Sequence, residues 1–403
     1  MKNGYSNLMK KFKIIITIFI LLILYIYVAN ITLIPKRIIL LENEKYHLKK
    51  FFGVNTIETM SASNNNGNIK NVDITLFGNK VKEVSVETIE NLKVVPIGKI
   101  IGMKLYTNGV LIVGMSQIEN IDNELVSPFI DSDVKEGDTI VKINNEEVEN
   151  IQELKKIVNN SNGENVSITL IRDGSLVTSN ITPAKTEENE YKLGLWVKDA
   201  ATGVGTITYY EKNTGNFAAL GHGIIDSDTN KLIDIDSGEI VTSEVISITK
   251  ATINNPGEIR GTIINQKTIG NVKKNTKFGI YGILNNLSSL NIDANNSIQV
   301  ALRNEIKQGN ATILCSLDGR TSKEYNIKIE KIYENNSYDN KSMLIRVIDN
   351  ELIDKTGGII RGLSGSPILQ NGKLVGAVTN VLVSNPIIGY GIFADMMVKE
   401  MRK

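Results

Sequence analysis

Imidazole chemistry in this chain is confined to two positions, because its 403 residues include only His47 and His222. His47 sits in a charged stretch and reads as a solvated side chain. His222 ends the apolar run Phe217-Ala218-Ala219-Leu220 and stands between Gly221 and Gly223. Flanking glycines place an imidazole on a tight, accessible turn. A hydroxyl nucleophile needs such a base to take its proton. The matching hydroxyl is Ser364, in Gly362-Leu363-Ser364-Gly365-Ser366-Pro367. Two glycines around it permit a turn on which backbone N–H groups converge. The N–H groups of Gly362 and Ser364 are the candidate oxyanion donors. Ser366 is expected to point into the strand that follows.

An orienting acid is less clearly marked. Asp226 and Asp228 lie just after His222, but close neighbours on one turn rarely reach the far imidazole nitrogen. Asp349, in Arg346-Val347-Ile348-Asp349-Asn350, ends a strand shortly before Ser364. The residues alone divide the choice between Asp349 and the Asp226/Asp228 pair. Cys315 and Trp196 read as core. One Cys and two His exclude a multi-Cys or three-His zinc site, and no cofactor or metal is expected.

These residues need a β framework. Residues 190–403 are runs of β-branched residues between Gly and Asn turns, which predicts a chymotrypsin-like β-barrel or a related all-β domain. Asn371-Gly372 after Pro367-Ile368-Leu369-Gln370 is a type I′ hairpin signal. Residues 96–188 read as a separate α+β module. Gly109 to Gly114 is a short buried strand, Gly137-Asp138 a turn, and Ile151, Leu154 and Val158 share one helix face. This order resembles a PDZ domain, which binds peptides by strand addition beside its helix. Its groove is expected between the strand carrying Val110, Leu111 and Ile112 and the helix carrying Ile151, Leu154 and Val158. The loop near Gly102 to Gly109 is expected to receive a peptide carboxylate, with the polar run 61–68 or a partner's terminus as ligand.

Residues 1–37 read as a cytoplasmic N-terminus and a signal-anchor helix. Residues 14–34 are apolar apart from Thr17, Asn30 and Thr32, and at about 1.5 Å per residue they cover roughly the 30 Å hydrocarbon core of a bilayer. Lys2, Lys10, Lys11 and Lys13 precede them and predict export of everything after Pro35. Residues 38–95 read as a juxtamembrane region with a small β unit from about residue 71. Lys and Arg total 45 against 44 Asp and Glu, a net charge of +1, so no polyanion-binding field exists and nucleic acid is not an expected partner.

Taken together, the order of anchor, PDZ-like module and β-rich domain resembles the SpoIVB peptidases of endospore-forming bacteria. The phrases "FAALGHGIIDSDT" and "VIDNELIDKTGGIIRGLSGSPILQNGKLVGAV" carry the resemblance. It implies a membrane-anchored serine endopeptidase in which His222 and Ser364 are catalytic and the acid maps to Asp349. It also implies a substrate that regulates a membrane-embedded metalloprotease in sporulation, self-cleavage near the N-terminus, and a location between the forespore membranes. The sequence departs from the family at Asn380, where a His is frequent.

Overall fold

The computed structural model describes residues 2–33, 37–41, 54–56, 69–76, 79–89, 92–333 and 340–403. His47 and the run 61–68 lie outside them. The chain divides into two compact units, Met1–Leu92 and Lys93–Lys403.

In the first unit a helix spans Lys2–Leu33. Four strands follow in the sheet order Arg37–Leu41, Asn79–Ile89, Ile69–Leu76, Val54–Thr56, consistent with the expected β unit. Among the described residues, no helix is long and apolar enough to cross a membrane.

Two closed β structures make up most of the second unit. Six strands form the first ring: Lys93–Met115, Leu195–Tyr210, Asn216–Ala219, Gly279–Leu284, Glu258–Thr276 and Ile235–Thr249. The ring closes where Ile235–Thr249 pairs back onto residues 101–107. Ile101, Met103, Leu105, Ile207, Phe217 and Ile240 pack inside it. The second is a closed barrel of Gly309–Cys315, Lys323–Ile332, Met343–Val347, Ile388–Phe393, Lys373–Val381 and Pro367–Gln370. The hairpin of Pro367–Gln370 and Lys373–Val381 turns at Asn371 and Gly372, with φ of 52° and 74°, the left-handed pair that a type I′ turn requires.

The PDZ-like module is not strung ahead of these barrels. Lys93–Met115 is one 23-residue strand and Leu195–Tyr210 one of 16 residues. They pair antiparallel along nearly their whole length. Their inner halves build the first ring and their outer halves enter the PDZ-like sheet, so the ring's first strand precedes that module. The expected boundary at residues 95/96 therefore falls inside Lys93–Met115, whereas the one near residue 189 lies in the turn between Ala184–Lys185 and Tyr191–Lys192.

Candidate active site

His222 is placed by a strained turn. The strand Asn216–Ala219 ends at Leu220 and Gly221, with φ of 68° and 69°. Every other non-glycine at positive φ among the described residues is Asn or Asp. A leucine there costs roughly 1–2 kcal/mol. It is held because Leu220 is buried and its side chain fills the space where Gly205 lacks a Cβ. The half-buried imidazole faces a cleft of about 260 Å³, lined by Gly223, Ile225, Leu232, Lys277, Asn340 and Asn380. Its Nδ1 lies 2.9 Å from the Gly223 carbonyl oxygen. An N–H there donates to that oxygen and leaves Nε2 unprotonated, the form a general base needs. Desolvation lowers the imidazole pKa below its ordinary value, partly offset by the Gly223 carbonyl.

Ser364 sits on the loop opposite. Gly362 and Gly365 have φ of 99° and 95°. A Cβ on Gly365 would fall 2.1 Å from the Thr206 oxygen and 2.5 Å from the Leu220 nitrogen. Backbone contact between the Ser364 loop and the His222 turn therefore demands glycine. The N–H groups of Leu363, Gly365 and Ser366 donate to Ile360, Val378 and Leu363. Those of Gly362 and Ser364, the two named from the sequence as oxyanion donors, have no acceptor among the described residues. The Ser364 hydroxyl donates to the Thr379 carbonyl at 2.7 Å rather than to the imidazole. Ser366 is fully buried, its hydroxyl without a partner among the described residues.

Asp349 is engaged elsewhere. It caps the helix Asn350–Thr356, accepting the N–H groups of Glu351 and Leu352 at 3.1 and 3.2 Å. Its other oxygen accepts the backbone and side-chain N–H groups of Asn326 at 3.1 and 3.3 Å. None of these partners belongs to the His222 turn. Asp226, the nearer candidate, accepts the N–H groups of Asp228 and Thr229 and pairs with Lys198 at 3.0 Å. Burial alone would raise its pKa, but these donors bring it below the usual carboxylate value. Lys198 also pairs with Asp228. Cys315 is buried, which pushes its thiol up to about 12 and leaves it unreactive.

Thr206 was not distinguishable in the sequence, where it reads as one β-former in a β run. It is fully buried between the His222 turn and the Ser364 loop. Its N–H donates to the Ser364 carbonyl at 3.2 Å, its hydroxyl to the Gly362 carbonyl at 2.7 Å, and its own carbonyl accepts the Leu220 N–H at 3.2 Å.

The PDZ-like groove differs from the expected one. Val110 and Ile112 are fully buried, and Leu111 nearly so. That strand is paired on both sides, to Thr139–Ile140 and to Val197–Lys198, so it has no edge to offer. Gly102 and its neighbours are likewise paired on both sides, with Val204 and Val241, and form no carboxylate loop. Leu154 and Val158 belong to the module's core, with Ile151 packed against it. The edge beside the helix Ile151–Asn160 that is paired on one side only, among the described residues, is Leu195–Lys198. The Ile151 N–H donates to Asp199 and the Tyr191 N–H to Asn159, at 2.9 and 2.7 Å. Leu195 and Val197 pack against the core. Trp196 alternates outward, is 64% exposed rather than core, and donates to Ser116.

The Ser364 loop and the His222 turn are thus in backbone contact between two β barrels, and the PDZ-like module shares strands with the first of them. A model of the SpoIVB peptidase S55 family matches residues 189–398, and a PDZ-domain model matches residues 101–182. The chain belongs to the SpoIVB peptidase S55 family. Curated proteins give no match. Among solved structures, the HtrA-type protease AlgW with a decapeptide is 12% identical at a TM-score of 0.29, over 53% of this chain and 53% of its own. The Rv3671c protease in an inactive form is 12% identical at a TM-score of 0.27, over 49% of this chain and 83% of its own. The chain thus spans about half the length of the AlgW chain.

Proposed function

We propose that this serine endopeptidase cleaves a protein partner with Ser364 as nucleophile and His222 as general base. Rotation of the Ser364 hydroxyl away from Thr379 brings it to Nε2 of His222, which takes the proton as Oγ attacks the scissile carbonyl. The N–H groups of Gly362 and Ser364 receive the oxyanion. The imidazolium then protonates the leaving amine, and water repeats the cycle on the acyl-enzyme. Asp349, the acid the family resemblance assigns, would have to leave its bonds to Asn326 and the helix Asn350–Thr356 to orient the imidazole. The observation that carries the reading is the pair of unpartnered N–H groups flanking a serine whose loop packs on the histidine turn. Labelling with a serine-reactive fluorophosphonate tests it: wild type and Ser366→Ala react, Ser364→Ala does not. Labelling of Ser364→Ala at the wild-type rate sinks the assignment.

An extended peptide adds to the free edge Leu195–Lys198 beside the helix Ile151–Asn160, by main-chain pairing. The family resemblance supports the rest of the proposal. Residues 14–34 anchor the chain, the lysines before them stay cytoplasmic, and the remainder faces the space between the forespore membranes. There it cleaves a regulator of a membrane-embedded metalloprotease, and itself near the N-terminus. A reporter fused after residue 60 that works only in the cytoplasm would overturn the topology.

A further inference from the structure

We infer that Thr206 is a positioning residue that sets the oxyanion hole, an inference that rests on the assignment of Ser364 as nucleophile. The peptide units around Ser364 alternate in how firmly they are held. In the unit joining Gly362 to Leu363, the carbonyl accepts the Thr206 hydroxyl and the N–H donates to Ile360. In the unit joining Ser364 to Gly365, the carbonyl accepts the Thr206 N–H and the N–H donates to Val378. Both units are pinned at both ends, and Thr206 supplies one end of each. The unit between them, Leu363 to Ser364, carries the unpartnered Ser364 N–H. With both neighbours fixed, that N–H has little freedom to turn.

Thr206 holds the other turn as well, since its carbonyl accepts the Leu220 N–H two residues before His222. One buried residue thus registers the oxyanion donor against the base. Its backbone bonds survive any substitution. Its hydroxyl bond to Gly362 does not, and Gly362 is the residue that supplies the second unpartnered N–H. Losing the hydroxyl leaves the part-buried Gly362 carbonyl without that donor and frees the segment to rotate. Rotation misaims donors that act only on the developing charge, so the transition state suffers more than the bound substrate.

The test compares Thr206→Val, which keeps the shape and removes the hydroxyl, with Thr206→Ser, which keeps the hydroxyl. Thr206→Val should lower kcat by about 10- to 100-fold, less than the 10²–10³-fold typical of deleting an oxyanion donor outright, with KM within about 3-fold. Thr206→Ser should stay within about 3-fold of wild type. A peptide boronic acid should bind Thr206→Val more weakly by the same factor as kcat/KM falls. The uncleaved peptide, measured in a Ser364→Ala background, should bind unchanged. Thr206→Ala is read by the same criteria if Thr206→Val does not fold. Equal losses of boronate and peptide affinity, an unchanged kcat in Thr206→Val, or an equal loss in Thr206→Ser would each overturn the inference. Wild-type cleavage by Ser364→Ala would instead overturn the nucleophile assignment beneath it.

Discussion

The Ser364 loop and the His222 turn meet at Thr206 but are built by opposite means. The Ser364 loop puts glycine at each of its left-handed positions, Gly362 and Gly365, and gains close backbone approach. The His222 turn puts a leucine at one of its two left-handed positions and stores strain that burial of Leu220 holds down. The first loop is shaped by what it lacks, a Cβ; the second by what it buries. Substitutions should therefore fail differently in the two places.

The largest effects should come from the reacting groups. Ser364→Ala and His222→Ala should each lower kcat/KM by at least about 10³-fold, and the double variant by little more, because such residues act as a unit. Ser366→Ala removes a buried hydroxyl with no partner and should leave turnover within a few-fold, with stability unchanged or slightly higher. Asp349→Asn should fall between these limits, at about 10- to 100-fold. Asn caps a helix about as well as Asp, so an unchanged unfolding temperature alongside that loss would assign it to the missing charge. Loss of activity only in parallel with unfolding would confine Asp349 to its cap.

Next come the scaffolds of the two turns. Gly365→Ala drives a methyl into the Thr206 oxygen at positive φ and should cost about 3 kcal/mol or more. Leu220→Gly relieves roughly 1–2 kcal/mol of backbone strain but removes a buried leucine worth about 2–5 kcal/mol. It should therefore destabilise on balance. Thermal unfolding measures both, and a net gain for Leu220→Gly would show that the strain outweighs the burial.

The tight turns at His222 and Ser364 were legible in the sequence because glycines bracket them, and the hairpin at Asn371-Gly372 because Asn-Gly has one favoured turn. The interleaving of the PDZ module with the first barrel was not. It rests on pairing between Lys93–Met115 and Leu195–Tyr210, strands far apart in the chain, and no local pattern encodes that register. The groove was misplaced for a related reason. Leu195, Trp196 and Val197 are as continuously apolar as Val110 to Val113, and what separates them is that residues 110–112 are paired on both edges by distant strands. Asp349 pointed to the site through its spacing, but its carboxylate is also an ideal helix cap.

A smaller effect tests how the PDZ edge speaks to the base. Lys198 ends that edge and pairs with Asp226, a buried carboxylate four residues past His222. Lys198→Met should strand that carboxylate. The lysine is itself partly exposed, which screens the pair, so the cost should be about 1 kcal/mol rather than the 3–5 kcal/mol of a fully buried pair. We expect a few-fold fall in kcat and a smaller response to added PDZ-binding peptide. An unaltered peptide response would uncouple the module from the His222 turn.

The smallest effect separates a histidine steadied by a backbone carbonyl from one steadied by a carboxylate. Burial lowers the His222 pKa from 6.5 in this structure, and Lys277 is the charged side chain lining its cleft. The base acts when neutral, so kcat/KM should fall as pH drops through the pKa of the free enzyme. With desolvation dominant, that acidic limb should lie below 6.5. An anionic partner would stabilise imidazolium and push the limb above 6.5. Lys277→Glu adds such a charge at the cleft and should move the limb upward while leaving the alkaline side flat. A wild-type limb above 6.5 that drops in Asp349→Asn but not in Asp226→Asn would seat Asp349 beside the imidazole during turnover. The reverse pattern would give that place to Asp226, and a limb below 6.5 that neither substitution moves would leave the Gly223 carbonyl as the partner of Nδ1.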